Sequence, residues 1–178
     1  MSNTGLKRTG KEKYYTSHAV VQKLLISYNK IIEKKEGELW IEPSAGNGSF
    51  TRFLGDRNLI AYDIEPESQD IRKQDFLKLN LLTCFHLPLH FIGNPPFGRQ
   101  SCMAIKFIKH ITACEKTKSL AFILPKSFKK DSMKRYFPLN FHLEHEEDVE
   151  KDGFVIDGTT IDVPCVFQIW VKKDKHRE

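Results

Sequence analysis

Asn94-Pro95-Pro96-Phe97 groups two oxygen acceptors and one aromatic face on a stiff piece of chain. The Asn94 side-chain oxygen and the Pro95 carbonyl can each accept one N–H. Together they can hold a primary amine and favour the positive charge that grows on its nitrogen during attack on a carbon electrophile. The prolines keep those acceptors in place, and Phe97 offers a ring on which a planar base can stack. The amine most in need of such help is one attached to an aromatic ring, such as the exocyclic amine of adenine, because its lone pair is delocalised and must be turned toward the incoming carbon. With both reactants held in line, no strong general base is required. Met in isolation, the tetrapeptide would be no more than a turn after a strand. Two features upstream change that reading.

The first is the loop Glu42-Pro43-Ser44-Ala45-Gly46-Asn47-Gly48, which follows the apolar run Leu39-Trp40-Ile41 and precedes Phe50, Phe53 and Leu54 at helical spacing. This reads as strand, tight turn, helix. A dinucleotide fingerprint would need a third glycine where Thr51 stands, and the lysine of a phosphate loop is missing as well. A carboxylate at the strand end is a poor neighbour for a pyrophosphate and a good one for a cationic or amine-bearing ligand. The second feature is Asp63, which ends the apolar run Leu59-Ile60-Ala61-Tyr62, 21 residues after Glu42. An acid there can accept both ribose hydroxyls of an adenosine-containing cofactor. A ribose-bearing cofactor without phosphates is the expectation.

The elements that must position these residues alternate. Val21, Leu24, Leu25, Tyr28 and Ile32 recur at helical spacing, with Thr16 or Ser17 as an N-cap. His90-Phe91-Ile92-Gly93 runs as a strand into the tetrapeptide. Ser101 can then cap a helix with Met103, Ala104, Phe107, Ile108 and Ile111 on its apolar side. Leu120 to Leu124 is a strand-length apolar run stopped by Pro125, and Val163 to Val171 closes the chain. The pattern predicts an α/β fold, a doubly wound, mostly parallel sheet with an antiparallel hairpin as its last addition. In such sheets ligands bind beyond the carboxyl ends of the strands, where Glu42 to Gly48, Asp63, Gln74-Asp75-Phe76 and Asn94 to Phe97 all fall.

With 178 residues, 40% hydrophobic and 29% charged, the chain suits one compact domain. The expected division is a polar, basic arm over residues 1–13, a single domain over 14–172 and a charged tail over 173–178. Its four cysteines show no C-x-x-C pair, and the seven histidines fall at no ligand spacing, so neither a metal site nor a disulfide framework is expected. Ser44 lacks the G-x-S-x-G elbow of serine hydrolases. No apolar run reaches the ~20 residues of a membrane helix and the N-terminus lacks a secretory core, so the chain reads as intracellular. The net charge of +5 is unevenly spread. Lys126, Lys129, Lys130, Lys134 and Arg135 form a basic run, while Glu144 to Asp152 is mostly acidic. Basic segments suit a polyanion such as nucleic acid.

In the order of these motifs the chain resembles class I S-adenosylmethionine-dependent methyltransferases, and specifically the gamma-class adenine-N6 DNA methyltransferases. That resemblance implies a seven-stranded Rossmann-like sheet, S-adenosyl-L-methionine as cofactor and nucleic acid, DNA before RNA, as substrate. Tyr15 and Thr16 resemble the family's N-terminal motif. Glu42 to Gly48 with Phe50 is similar to the cofactor loop, Asp63-Ile64 to the ribose-binding acid and its neighbour, and Asp75-Phe76 to the segment that holds the cofactor adenine. Asn94, Pro95, Pro96 and Phe97 would be the catalytic tetrad. Arg99 and Lys126 would meet the substrate, and Phe154 would be a second ring stacking on a flipped base. No large target-recognition region of the family's kind is expected within these residues, so sequence choice would come from a partner protein, from short loops near Arg99, Lys126 and Lys129, or be largely absent. Methylation of adenosine in RNA, methylation of a protein glutamine, and a non-catalytic adapter are the alternatives.

Overall fold

The structure, a computed structural model, describes residues 15–150, 153–156, 158–161 and 163–178. The expected basic arm lies outside the described residues. β1 (Tyr15–Thr16) leads into α1 (His18–Ile31), whose N-cap is Ser17. The Ser17 hydroxyl accepts from Val20 N at 3.4 Å, and Val20, Val21, Leu24, Leu25 and Tyr28 form the buried stripe. Next come β2 (Leu39–Glu42), β3 (Leu59–Asp63), β4 (Ile71–Lys73), the single turn α2 (Leu81–Cys84) and β5 (Leu89–Gly93). The chain continues through α3 (Cys102–Thr112), β6 (Thr117–Pro125), β7 (Phe141–Asp148), β8 (Phe154–Ile156), β9 (Thr159–Ile161) and β10 (Cys165–Lys172).

Seven strands form one sheet in the order β4-β3-β2-β5-β6-β10-β7. The first five run parallel, and β10 slots between β6 and β7 antiparallel to both. The chain winds outward from β2 to β4 and then returns to place β5 on the other side of β2. That reversal makes β2 and β5 the topological switch point, where a crevice opens beyond their carboxyl ends. A small separate sheet, β1-β8-β9, joins the start of the described chain to the segment before β10.

The strand pleat sorts the core into two layers. Leu39, Ile41, Phe91, Leu120 and Phe122 face one side and pack with Phe76, Phe107 and Ile111 from α3 and its surroundings. Trp40, Ile92, Ala121, Ile123 and Phe167 face the other and pack with the apolar stripe of α1. The central strands are therefore buried on both faces, which is why they read as unbroken apolar runs.

Three local expectations differ. The helix predicted around Phe50 and Leu54 is only a 3-10 turn, Thr51–Phe53, followed by Gly55 at φ +71. The basic run folds as two 3-10 turns, Lys126–Lys129 and Asp131–Tyr136, with Lys130 extended between them. Much of the acidic block is the edge strand β7, where exposed Glu144, Glu146 and Asp148 discourage pairing with another chain. Among the described residues no helix is long and apolar enough to cross a membrane.

Candidate active site

Glu42 ends β2 at the switch point and is 1% exposed. Its Oε2 accepts from Thr51 N at 2.9 Å and also from the Thr51 hydroxyl. Burial pushes the Glu42 carboxyl up to about 8, Thr51's two bonds pull it back, and the like charge of Asp63 adds a little. On the neighbouring strand Gly93 leaves room for this side chain.

The loop after β2 is held from below by its own backbone and by Asp63. Ala45 N donates to Tyr62 O at 2.8 Å, and Gly46 N donates to Asp63 Oδ2 at 2.8 Å. Asp63 Oδ1 accepts from Glu65 N, also at 2.8 Å. Gly46 at φ +58 and Gly48 at φ +86 take backbone conformations that side chains resist, and this lets the loop turn tightly. Beside Asp63 the aliphatic side chain of Ile64 is 59% exposed, an apolar surface at the edge of the loop. The Tyr15 ring lies over Gly46, 3.7 Å from where a Cβ would stand, and its hydroxyl donates to Glu67.

Asn94 to Phe97 leave the carboxyl end of β5. Asn94 is half-buried, and its Nδ2 donates to Thr16 Oγ1 at 3.4 Å. With the amide nitrogen engaged there, the carbonyl oxygen is the group left to accept from a substrate. Phe97 packs against the core layer on the α1 side, and its carbonyl receives Met103 N at 3.1 Å and Ala104 N at 3.3 Å. The tetrad is thereby tied to the first turn of α3. Ser101 occupies the cap position of that helix, yet it is left-handed at φ 63 and makes no capping bond. Gln100, at φ 53, is left-handed too, so two non-glycine residues between the tetrad and α3 are held in a costly conformation.

Tyr15, Thr16, Glu42, Ser44, Ala45, Gly46, Asn47, Phe50 and Asn94 line one small pocket. The fold thus gathers nine of the fifteen sequence-predicted cofactor residues in one place, although they are spread over 80 positions of chain. The donor set fits a nucleoside better than a nucleotide: among the described residues it holds one acid, Glu42, with hydroxyl, amide and backbone groups, and no lysine or arginine lines it. The present space is about 30 Å³, far below the roughly 300 Å³ at which ligand pockets begin.

Several other predicted residues lie outside this pocket lining. Phe154 was expected to stack on a base, but it is 2% exposed and belongs to the core layer under α1, because β8 pairs with β1 and draws it inward. Phe76 is likewise 2% exposed, packed among Tyr62, Phe91, Phe107 and His110. Its neighbour Asp75 caps the following turn by accepting from Leu77 N at 3.1 Å. Pro43 and Pro95 are buried, and Pro96 is exposed. Arg99 and Lys126 are exposed and lie outside the pocket lining.

Two further constellations mimic sites. Ser119 Oγ, His90 and Glu38 form a chain of bonds, 2.7 Å to Nδ1 and 3.2 Å from Nε2, in the order of a nucleophile, base and acid. All three are buried, with Ser119 wholly inaccessible and His90 stacked on Trp40, so no substrate reaches them. They sit toward the amino ends of β5 and β6, opposite the switch point. A groove of about 470 Å³ opens at that same far end. Its lysines are anchored, Lys116 on Phe85 O, Lys172 on Glu115 O, Lys118 on Glu38 and Lys173 on Glu144. Sequence reasoning missed the Thr16–Asn94 and Tyr15–Glu67 contacts, since each joins residues more than fifty positions apart.

No protein-family model matches the chain, and no curated protein matches it by sequence. Solved structures do. The 23S rRNA methyltransferase ErmE superposes with a TM-score of 0.66 at 16% identity, over 87% of this chain and 69% of that one. PH1948 of Pyrococcus horikoshii, provisionally assigned as an RNA methyltransferase, gives 0.64 at 14%, over 90% and 87% of the two chains. The magnesium protoporphyrin IX methyltransferase of Synechocystis PCC 6803, solved with bound S-adenosylmethionine, gives 0.58 at 11%, over 88% and 79%. Their named substrates differ, so the likeness identifies the scaffold and leaves the acceptor to the site. With its mostly parallel seven-stranded sheet and the antiparallel pair on its C-terminal side, the chain has the Rossmann-like methyltransferase fold.

Proposed function

We propose that this protein transfers the methyl group of S-adenosylmethionine to the exocyclic N6 of adenine in nucleic acid. The observation that carries the reading is the meeting, at one switch point, of the Glu42–Gly48 loop and Asn94 in a single pocket. The cofactor supplies an electrophilic methyl group on a sulfonium. Asp63, whose carboxylate braces the loop by accepting from Gly46 N and Glu65 N, is the group to receive the ribose hydroxyls. Glu42, Gly46 and Asn47 surround the cationic end, and the apolar Ile64 supports the adenine of the cofactor. Asn94 Oδ1 and the Pro95 carbonyl accept the two N–H groups of the target amine and align its nitrogen, while Phe97 stacks on the base.

DNA and RNA share this acceptor. The sequence resemblance favours DNA, and two of the structural neighbours carry RNA in their names. The test is methyl transfer from tritiated cofactor to single- and double-stranded DNA, to RNA and to protein, followed by nucleoside analysis. Label recovered as N6-methyladenine is the expected result. Label confined to protein glutamine, or no transfer to any acceptor alongside measurable cofactor binding, overturns it.

A further inference from the structure

We propose that the exposed face of α3, together with the turn packed against it, is the track that carries the phosphate backbone of the nucleic acid toward Asn94–Phe97. The inference rests on the function proposed above and assigns that substrate a place on the surface.

α3 is rigidly coupled to the tetrad, because the Phe97 carbonyl takes the N–H groups of Met103 and Ala104. One side of the helix, Ala104, Phe107, Ile108 and Ile111, is buried in the core. Lys106 and Lys109 stand on the opposite, exposed side, and Arg99 stands exposed at its head, two residues after Phe97. The 11 residues of the helix span about 16 Å at 1.5 Å per residue. At its far end the Lys109 ammonium lies over the Tyr136 ring at 5.8 Å. The Arg135 guanidinium covers the same ring at 4.9 Å and bonds its hydroxyl at 3.0 Å. The cations therefore run in a continuous line from the tetrad to the Asp131–Tyr136 turn.

Their charge is also unspent. Elsewhere on the molecule Lys23, Lys34, Lys129 and Lys173 are paired with carboxylates, and within the turn itself Lys134 is paired with Asp131. Arg99, Lys106, Lys109, Lys126, Lys130 and Arg135 form no ion pair among the described residues. The acids of β7 stand at the sheet edge beyond β10. A polyanion is thus drawn to one face and repelled from the other. A line of exposed cations, two of them set on the Tyr136 ring, suits phosphate contacts, which position a strand without reading its sequence.

The test compares the full chain with Lys106→Gln/Lys109→Gln and with the control pair Lys73→Gln/Lys78→Gln, whose lysines are exposed on and after β4. Binding of fluorescent adenine-containing oligonucleotides, single-stranded DNA, single-stranded RNA and duplex DNA, is followed as salt is raised. Cofactor affinity and thermal melting are measured alongside. The α3 pair is expected to raise the dissociation constant about tenfold at low salt. It should also flatten the slope of log K against log salt by about 0.7 to 0.9 per lost phosphate contact. Cofactor affinity should be unchanged and the control pair should match wild type. Equal weakening by both pairs, or an unchanged slope for the α3 pair, overturns the track while leaving the proposed function standing. So does binding of an acidic polypeptide through α3 in place of nucleic acid. A wild-type chain that neither binds nor methylates any of the nucleic acids defeats the functional reading itself.

Discussion

Glu42 and Gly93 stand so close across the β2–β5 boundary that a Cβ added to Gly93 would lie 3.2 Å from Glu42 Cγ. The contact is fixed from both sides, since Glu42 is locked onto Thr51 and Gly93 adopts φ +155. Gly93→Ala must therefore strain its own backbone and push on a side chain with nowhere to go. We expect a loss of about 1 to 3 kcal/mol, the usual cost of overpacking. A urea midpoint equal to that of wild type would show that Glu42 yields freely.

Asn94 reaches its productive orientation only if something accepts from Nδ2, and Thr16 Oγ1 is the acceptor the fold provides. Thr16→Val keeps the shape of the side chain and removes that acceptor. Methyl transfer should fall about tenfold in kcat, with cofactor affinity nearly unchanged and activity largely regained in Thr16→Ser. Thr16→Val turning over as fast as wild type would deny the hydroxyl this role.

Asp63 supports the loop after β2 by two backbone bonds. Asp63→Ala frees Gly46 N and Glu65 N and removes the charged acceptor for ribose. Titration calorimetry should give a cofactor dissociation constant raised at least about tenfold, in line with the loss of one charge-assisted bond. An unchanged constant would place the cofactor elsewhere.

The Glu42 carboxyl is raised to about 8 by burial. A group whose folded value lies above its unfolded value favours the fold while protonated. The contribution is complete below the ordinary carboxylate range and is lost as pH rises to about 8. Glu42→Gln cannot titrate. Wild type should lose stability relative to Glu42→Gln between pH 5 and pH 8.5, by at most about 1.4 kcal/mol per pH unit. Urea unfolding at a series of pH values checks this, and parallel curves would mean that Glu42 stays ionised throughout.

Arg177 fastens the C-terminal tail. Its guanidinium donates to the carbonyls of Lys134, Phe137, Pro138 and Phe141 and lies 5.3 Å from the centre of the Trp170 ring. The charged tail predicted over 173–178 is accordingly part of the folded body. Arg177→Ala should cost about 1 to 3 kcal/mol and speed hydrogen exchange in residues 131–140. Exchange there at the wild-type rate would make the tail dispensable.

Much of the scaffold was legible in the chain because its signals are local. Central strands buried on both faces must be apolar runs, and each such run here is stopped by a proline, a glycine or an acid that a ligand can use. Leu39–Glu42, Leu59–Asp63 and Leu89–Gly93 are strands that end as expected at the crevice. The acceptor chemistry of Asn94-Pro95 is also a property of those residue types alone.

What depended on distant neighbours could be decided only by the tertiary structure. Whether an aromatic ring faces a ligand or the core is a matter of what lands on top of it, and Phe154 and Phe76 were both covered. The Glu144–Asp148 charges became an edge strand because β10 inserted between β6 and β7, a pairing across some twenty residues that no local pattern encodes. The Asn94 amide is turned by a hydroxyl 78 positions away. Residue type sets what a group can do. The partner that chain folding brings to it sets which of those things it does, because hydrogen bonds and burial act over ångströms of space, whatever the separation along the chain.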